Sequence, residues 1–172
     1  MIKKESIFRT VLIVIFFIFL IFWIAVKPIQ LTLVSGPSMD TTLHNGEFLI
    51  MTKGKIKKGD IVTFNAKSAW NEKDLDKDFI KRVVAVPKDE LTIHNNKLYV
   101  NDRETVDFNN KLVNNIGEKS FKLKSNEYFV CGDNTGQSHD SLYRLLQGYD
   151  KYTVSGKLLK YKTSNIENKN ER

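Results

Sequence analysis

Phe79-Ile80-Lys81-Arg82-Val83-Val84-Ala85-Val86 is the stretch on which the reading of this chain turns. Its β-branched and aromatic side chains lose freedom in a helix and pack well on a pleated surface, so it predicts a strand over 79–86. The strand period of two puts Phe79, Lys81 and Val83 on one face and Ile80 and Arg82 on the other. Lys81 therefore shares its face with apolar neighbours, while Arg82 points the opposite way. Working outward, similar short runs stand at 30–34, 47–52, 60–65, 90–93, 97–100 and 128–131. They are separated by turn signals such as Lys58-Gly59-Asp60, Pro87-Lys88-Asp89 and His94-Asn95-Asn96, the last of which predicts a hairpin. Polar residues 70–78 read as a surface excursion, Asn-rich 101–119 as an insertion loop or small subdomain, and 163–172 as a polar tail. The expectation is a mainly β domain over 29–162.

Upstream the pattern is different. Val11 begins an uninterrupted apolar run of 16 residues, VLIVIFFIFLIFWIAV. As a helix it would be about 24 Å long, which reaches across the ~30 Å hydrocarbon core if Thr10 and Lys27 sit near the interfaces. Trp23 suits an interfacial position, and Lys3, Lys4 and Arg9 before the run place residues 1–9 in the cytoplasm by the positive-inside rule. A cleaved secretory leader would need small residues near its end, where Trp23 stands. A buried core helix would show an amphipathic period, and this run is apolar on every face. The reading is a single membrane anchor over 10–28, with the remainder extracytoplasmic.

Composition removes other classes. The 172 residues include one Cys and three His, which excludes a disulfide framework and a thiolate zinc site within the chain. The net charge is +7, of which Lys3, Lys4, Arg9 and Lys27 against Glu5 supply three. The remaining excess is scattered and carries no nucleic-acid signature. Cys131 reads as a small buried hydrophobe. No metal cluster and no phosphate-cradling loop is present in the pattern, so neither a cofactor nor a metal is expected.

Four segments carry the chemistry. They are Ser35-Gly36-Pro37-Ser38-Met39-Asp40-Thr41-Thr42-Leu43, then Gly59-Asp60-Ile61-Val62-Thr63-Phe64, then Ile80 to Asp89, and finally Gly132-Asp133-Asn134-Thr135-Gly136-Gln137-Ser138-His139-Asp140-Ser141. In this order, after an anchor, they closely resemble the four sequence boxes of the type I signal peptidases, membrane-anchored serine proteases with a Ser/Lys dyad. The resemblance runs from about residue 7 to about residue 141. It implies an antiparallel β-sheet catalytic domain preceded by one transmembrane helix.

The resemblance also implies roles. Ser38 would be the nucleophile and Lys81 its general base, a variant of the triad logic that needs no imidazole. A lysine can act so only when neutral, which requires a fall of about 3 pKa units, or about 4 kcal/mol, from ~10.4. Ser138 would orient the amine. Asp133 would pair with Arg82 and brace one box against another, with Asp140 as a similar brace. Met39, Leu43 and Ile80 would line a shallow pocket for small substrate side chains. The substrates would be exported preproteins, and the other partner would be membrane lipid. His139, at the variable position of the fourth box, reads as an exposed loop residue.

The sequence also departs from the family's pattern. Thr41 stands where Pro is usual, and Gly36 where some members carry an oxyanion-binding hydroxyl. Leu142 stands where an arginine usually pairs with the carboxylate at 140, which would leave Asp140 short of a partner. That last departure favours an alternative reading, a non-catalytic homologue serving as assembly factor for a surface polymer such as a pilus. A self-cleaving repressor-type protein is a more distant reading, and the apolar run speaks against it.

Overall fold

In the computed structural model, which describes residues 4–25, 29–107 and 117–161, the strand expected around Lys81 forms and is paired along both edges. The elements in chain order are α1 (Lys4–Ala25), β1 (Ile29–Leu33), β2 (Phe48–Thr52), β3 (Ile61–Asn65), α2 (Ala66–Trp70), β4 (Asp78–Ala85) and β5 (Glu90–His94). They continue with β6 (Lys97–Val100), β7 (Arg103–Asp107), β8 (Lys119–Lys122), β9 (Phe129–Cys131), α3 (Ser141–Leu146) and β10 (Leu159–Tyr161). The described strands form two antiparallel sheets, one of six in the order β1-β2-β10-β3-β4-β9 and one of four in the order β7-β6-β5-β8. Lys3, Lys27, residues 108–116 of the expected insertion and the tail 163–172 lie outside the described residues, as does the side chain of Trp23.

β4 is covered on both faces, and apart from Asp78, Lys81 and Arg82 it is apolar. Phe79 and Val83 join Val62, Phe64, Trp70 and Val130 in one cluster, while Ile80 joins Val34, Met39, Leu43, Leu49 and Met51 in another. The face assignment from period two therefore holds until the register shifts between Val83 and Ala85 against β9. A third cluster lies where the small sheet meets β9 and α3, around Leu91, Leu98, Phe129, Leu142 and Cys131. The β5–β6 hairpin turns on Asn95 and Asn96 at φ 49° and 58°, the left-handed pair that a two-residue turn of this hand requires.

One expectation needs correction, and two stretches gain structure beyond the sequence reading. The 70–78 stretch is not wholly a surface excursion: Asn65 caps α2 through its side chain, and the helix delivers Trp70 into the core at 3% exposure. Within 101–119, residues 103–107 form β7 against β6, and β8, which pairs with β5, begins at Lys119. Helix α3 was not foreseen at all.

The N-terminal run is helical, and its described side chains at 7–22 are exposed along the whole length. Among the described residues no helix is both long and apolar enough to cross a membrane. The ribbon that follows keeps one apolar face uncovered: Ile29, Leu31 and Leu33 on β1 lie beside Thr52, Ile50 and Phe48 on β2, and all five apolar members are exposed.

Candidate active site

Ser38 leaves β1 on a tight turn. Gly36, at φ +90°, donates its N–H to Asn45 Oδ1, and the Asp40 and Leu43 amides bond back to the carbonyls of Pro37 and Met39. Met39 and Leu43 pack with Ile80 on the other face of β4, and Ser38 reaches the amine, so that the Ser38 Oγ and Lys81 Nζ are hydrogen-bonded at 2.7 Å across 43 residues of sequence. Nζ also donates to the Ile80 carbonyl at 3.0 Å and sits 5.3 Å from the centre of the Phe79 ring. Lys81 is 1% exposed. An amine so placed has lost nearly all its hydration, which disfavours its charged form.

Arg82, on the opposite face, ties together all four segments singled out in the sequence. It forks onto Asp133, Nε to Oδ1 at 2.8 Å and Nη2 to Oδ2 at 2.7 Å. Nη1 donates to the Gly59 carbonyl at 2.9 Å, and Nη2 also to Thr42 Oγ1 at 3.2 Å. Burial pushes the Asp133 carboxyl up, but bonds from Arg82 and Thr42, with the charges of Arg82 and Lys81, hold it below the usual carboxylate range. Thr42 and Gly59 gave no individual signal as partners in the sequence, because only the folded turn aims them at Arg82.

The fourth segment closes over the Ser38–Lys81 pair. Asn134 donates its backbone N–H to the Ser38 carbonyl, and Gly132 lies against both that carbonyl and the Ser138 side chain. A cleft of about 290 Å³ runs between residues 32–39 and 78–81, with Gln137 and His139 on its third side. Ser38, Met39, Ile80 and Lys81 line it. Leu43 does not: it is 4% exposed in the apolar cluster that includes Met39 and Ile80.

The family model for "Signal peptidase, peptidase S26" matches residues 6–158. The chain belongs to that signal peptidase family. It is similar to Signal peptidase I of Bacillus licheniformis, 32% identical over 154 residues that cover 81% of this chain and 80% of the relative. It is also similar to Signal peptidase IB of Staphylococcus aureus, 32% identical over 131 residues covering 63% and 65% of the two chains. Signal peptidase I P of Bacillus subtilis subsp. natto is 30% identical over 123 residues, 63% of each chain.

As a signal peptidase family member, the chain solves its departures locally. Asp140 is fully buried and is not short of partners: Oδ2 accepts from the Gly132 N–H and Oδ1 from the Tyr143 N–H, where it caps α3. Leu142 packs into the core at 0% exposure, where an arginine would have no place. Arg144, two residues on, pairs instead with Glu72 and lies between the rings of Trp70 and Tyr149. Thr41 sits at φ +89°, a conformation closed to proline, whose ring holds φ near −65°. Ser138 is buried beside the site, but its Oγ has no hydrogen-bond partner, so the expected contact to the amine is not made.

His139 is the second correction at the site. It is not an exposed loop residue. Its ring lies among Trp70, Phe79, Tyr143 and Tyr149, and burial, then the charge of Arg144, holds its pKa below the ordinary histidine value.

Proposed function

We propose that the protein is a membrane-bound serine endopeptidase that removes N-terminal signal peptides from exported preproteins, with Ser38 as nucleophile and neutral Lys81 as general base. The observation that carries this is the 2.7 Å hydrogen bond between a serine hydroxyl and an amine only 1% exposed. Lys81 takes the hydroxyl proton as Oγ bonds to the scissile carbonyl carbon. The carbonyl electron pair moves onto oxygen, where the Ser38 backbone N–H meets it. Collapse breaks the C–N bond, and the ammonium returns its proton to the departing amine. Water, deprotonated by the same amine, then attacks the Ser38 ester; the released carboxylic acid is the end of the signal peptide, and Ser38 regains its proton. Arg82, Asp133 and Asp140 brace the segments, and Ser138 is placed to steer the amine after a change of its own rotamer.

The substrate lies extended along the cleft, with Met39 and Ile80 facing the small side chains before the cut. Residues 10–28 anchor the enzyme in the plasma membrane, with 1–9 cytoplasmic and 29–162 outside. The exposed apolar side chains of α1 and the uncovered β1–β2 face both suit contact with lipid. Tethering raises the effective concentration of cleavage sites emerging at the same surface. The assembly-factor reading drew on the altered fourth segment, and the capping role of Asp140 and the core position of Leu142 remove that motive.

The test is hydrolysis of a leader peptide after Ala-x-Ala by the full chain in detergent. The wild type should cut at the expected bond, and Ser38→Ala and Lys81→Ala should each lose at least about a thousandfold in kcat. Normal turnover by Lys81→Ala would overturn the dyad assignment.

A further inference from the structure

The third side of the cleft holds a ring that the dyad chemistry does not use. The imidazole of His139 is stacked on the Phe79 ring, centroids 5.9 Å apart and planes 14° apart. Phe79 is the ring against which the Lys81 amine rests at 5.3 Å. His139 is itself fixed by Tyr143, with centroids 4.6 Å apart, and by Trp70 at 5.7 Å. Its Nε2 is buried without a hydrogen-bond partner, so the side chain is not held in place as a donor or acceptor at that nitrogen. What holds it is the flat face. Three elements supply the cluster, with Trp70 from α2, Phe79 from β4 and Tyr143 from α3, and the ring lines the cleft next to Ser38 and Lys81.

Building on the proposed dyad, we infer that His139 is a positioning residue for Lys81: as a neutral plate it clamps Phe79 and shuts the end of the cleft beside the amine against water. Phe64 and Trp70 hold the Phe79 ring from the core, with centroids 6.2 and 5.6 Å away, and on the cleft side its backing is the imidazole. Without it, Phe79 gains room and water reaches Nζ. The ammonium is then better hydrated, and Lys81 keeps its proton to higher pH. The charged and titratable groups around the pair are Arg144 and Tyr143 on α3, Glu72 after α2, Asp140 beside His139, Tyr149, Asp78 at the cleft wall, and Asp133, whose carboxyl feels Lys81. Burial and Arg144 together keep the imidazole uncharged near neutral pH, so it adds no positive charge next to the base.

The experiment uses the full chain in detergent and a leader peptide, with kcat and KM measured from about pH 5 to 10. His139→Ala should move the acid limb of kcat/KM up by about one pH unit, a tenfold loss on that limb, carried by kcat rather than KM. His139→Phe, which keeps the flat face and drops both nitrogens, should stay within about twofold of wild type with its limb unmoved. If His139→Ala does not fold, as judged by circular dichroism, His139→Leu takes its place, because it keeps bulk without a plane and should show the same shift. The inference falls if the limb stays in place in the non-planar variant. It also falls if His139→Phe is as impaired as that variant while His139→Gln is not, since the nitrogens would then be what matters. Retained turnover in Ser38→Ala would instead overturn the dyad itself. An inactive Ser38→Ala with an unshifted His139 variant would remove the present inference alone.

Discussion

At Gly132 it is space, not backbone conformation, that demands glycine. A methyl group on its α-carbon would stand 2.3 Å from Ser138 Oγ and 2.4 Å from the Ser38 carbonyl oxygen. The serine side chain at 138 could rotate away. The carbonyl of Ser38 could not, since it is main chain and accepts from Asn134. Gly132→Ala must therefore push the backbone of Ser38, the proposed nucleophile, and displacements near 1 Å cost reactive geometries about a hundredfold. The expected outcome is a loss of about that size in kcat/KM with a stability loss of about 1–3 kcal/mol, read from leader-peptide hydrolysis and urea unfolding. Wild-type values in both would mean that the fourth segment does not press on Ser38. Gly36 is glycine for the other reason, its φ of +90° with open space around it.

At the level of elements, α3 explains why the fourth segment ends differently here. Asp140 starts the helix, Ser141 Oγ accepts from the Val130 amide of β9, and Leu142 follows into the core. Leu142→Arg, which restores the residue usual in the family, should therefore harm this protein. Both Asp140 oxygens already accept backbone amides, and the guanidinium would be buried against Leu91, Leu98 and Phe129. A loss of about 3–5 kcal/mol is expected in denaturant unfolding. Unchanged or raised stability would show that Asp140 prefers an arginine to its capping role. Much of the element pattern could be read in advance. Runs such as 61–65 and 90–94 alternate or are β-branched, and the Asn95-Asn96 turn announces its hairpin. What could not be read is set by partners. β7 and β8 are short and polar and β10 is only three residues long, and they exist as strands because β6, β5, β2 and β3 offer edges. The meeting of Ser38 with Lys81 entered through resemblance, since no local pattern links residues 43 apart. His139 looked exposed because three separate elements assemble the rings around it.

Across the whole molecule, one guanidinium holds the site together. Arg82 reaches the Ser38 turn through Thr42, the start of β3 through Gly59, and the segment after β9 through Asp133, so the three segments that frame the Ser38–Lys81 pair share a single cation. The fork onto Asp133 makes that link pH-dependent, with a sign that follows from the carboxyl's position. Its folded pKa lies below the ordinary carboxylate value, so its contribution is complete above about pH 4, the unfolded value, and is lost as the pH falls through the folded one. Asp133→Asn keeps the shape and removes the charge. At pH 7 it should be less stable than wild type by about 1.5–3 kcal/mol, the range for hydrogen bonds to charged groups. Below pH 4 wild type should lose its advantage while the variant does not, so the two thermal midpoints should converge. Peptide hydrolysis at neutral pH should fall with the stability, because Thr42 and Gly59 lose the fixed arm that registers them against β4. A gap that persists undiminished to about pH 2 would mean that asparagine acts through packing rather than through the lost charge.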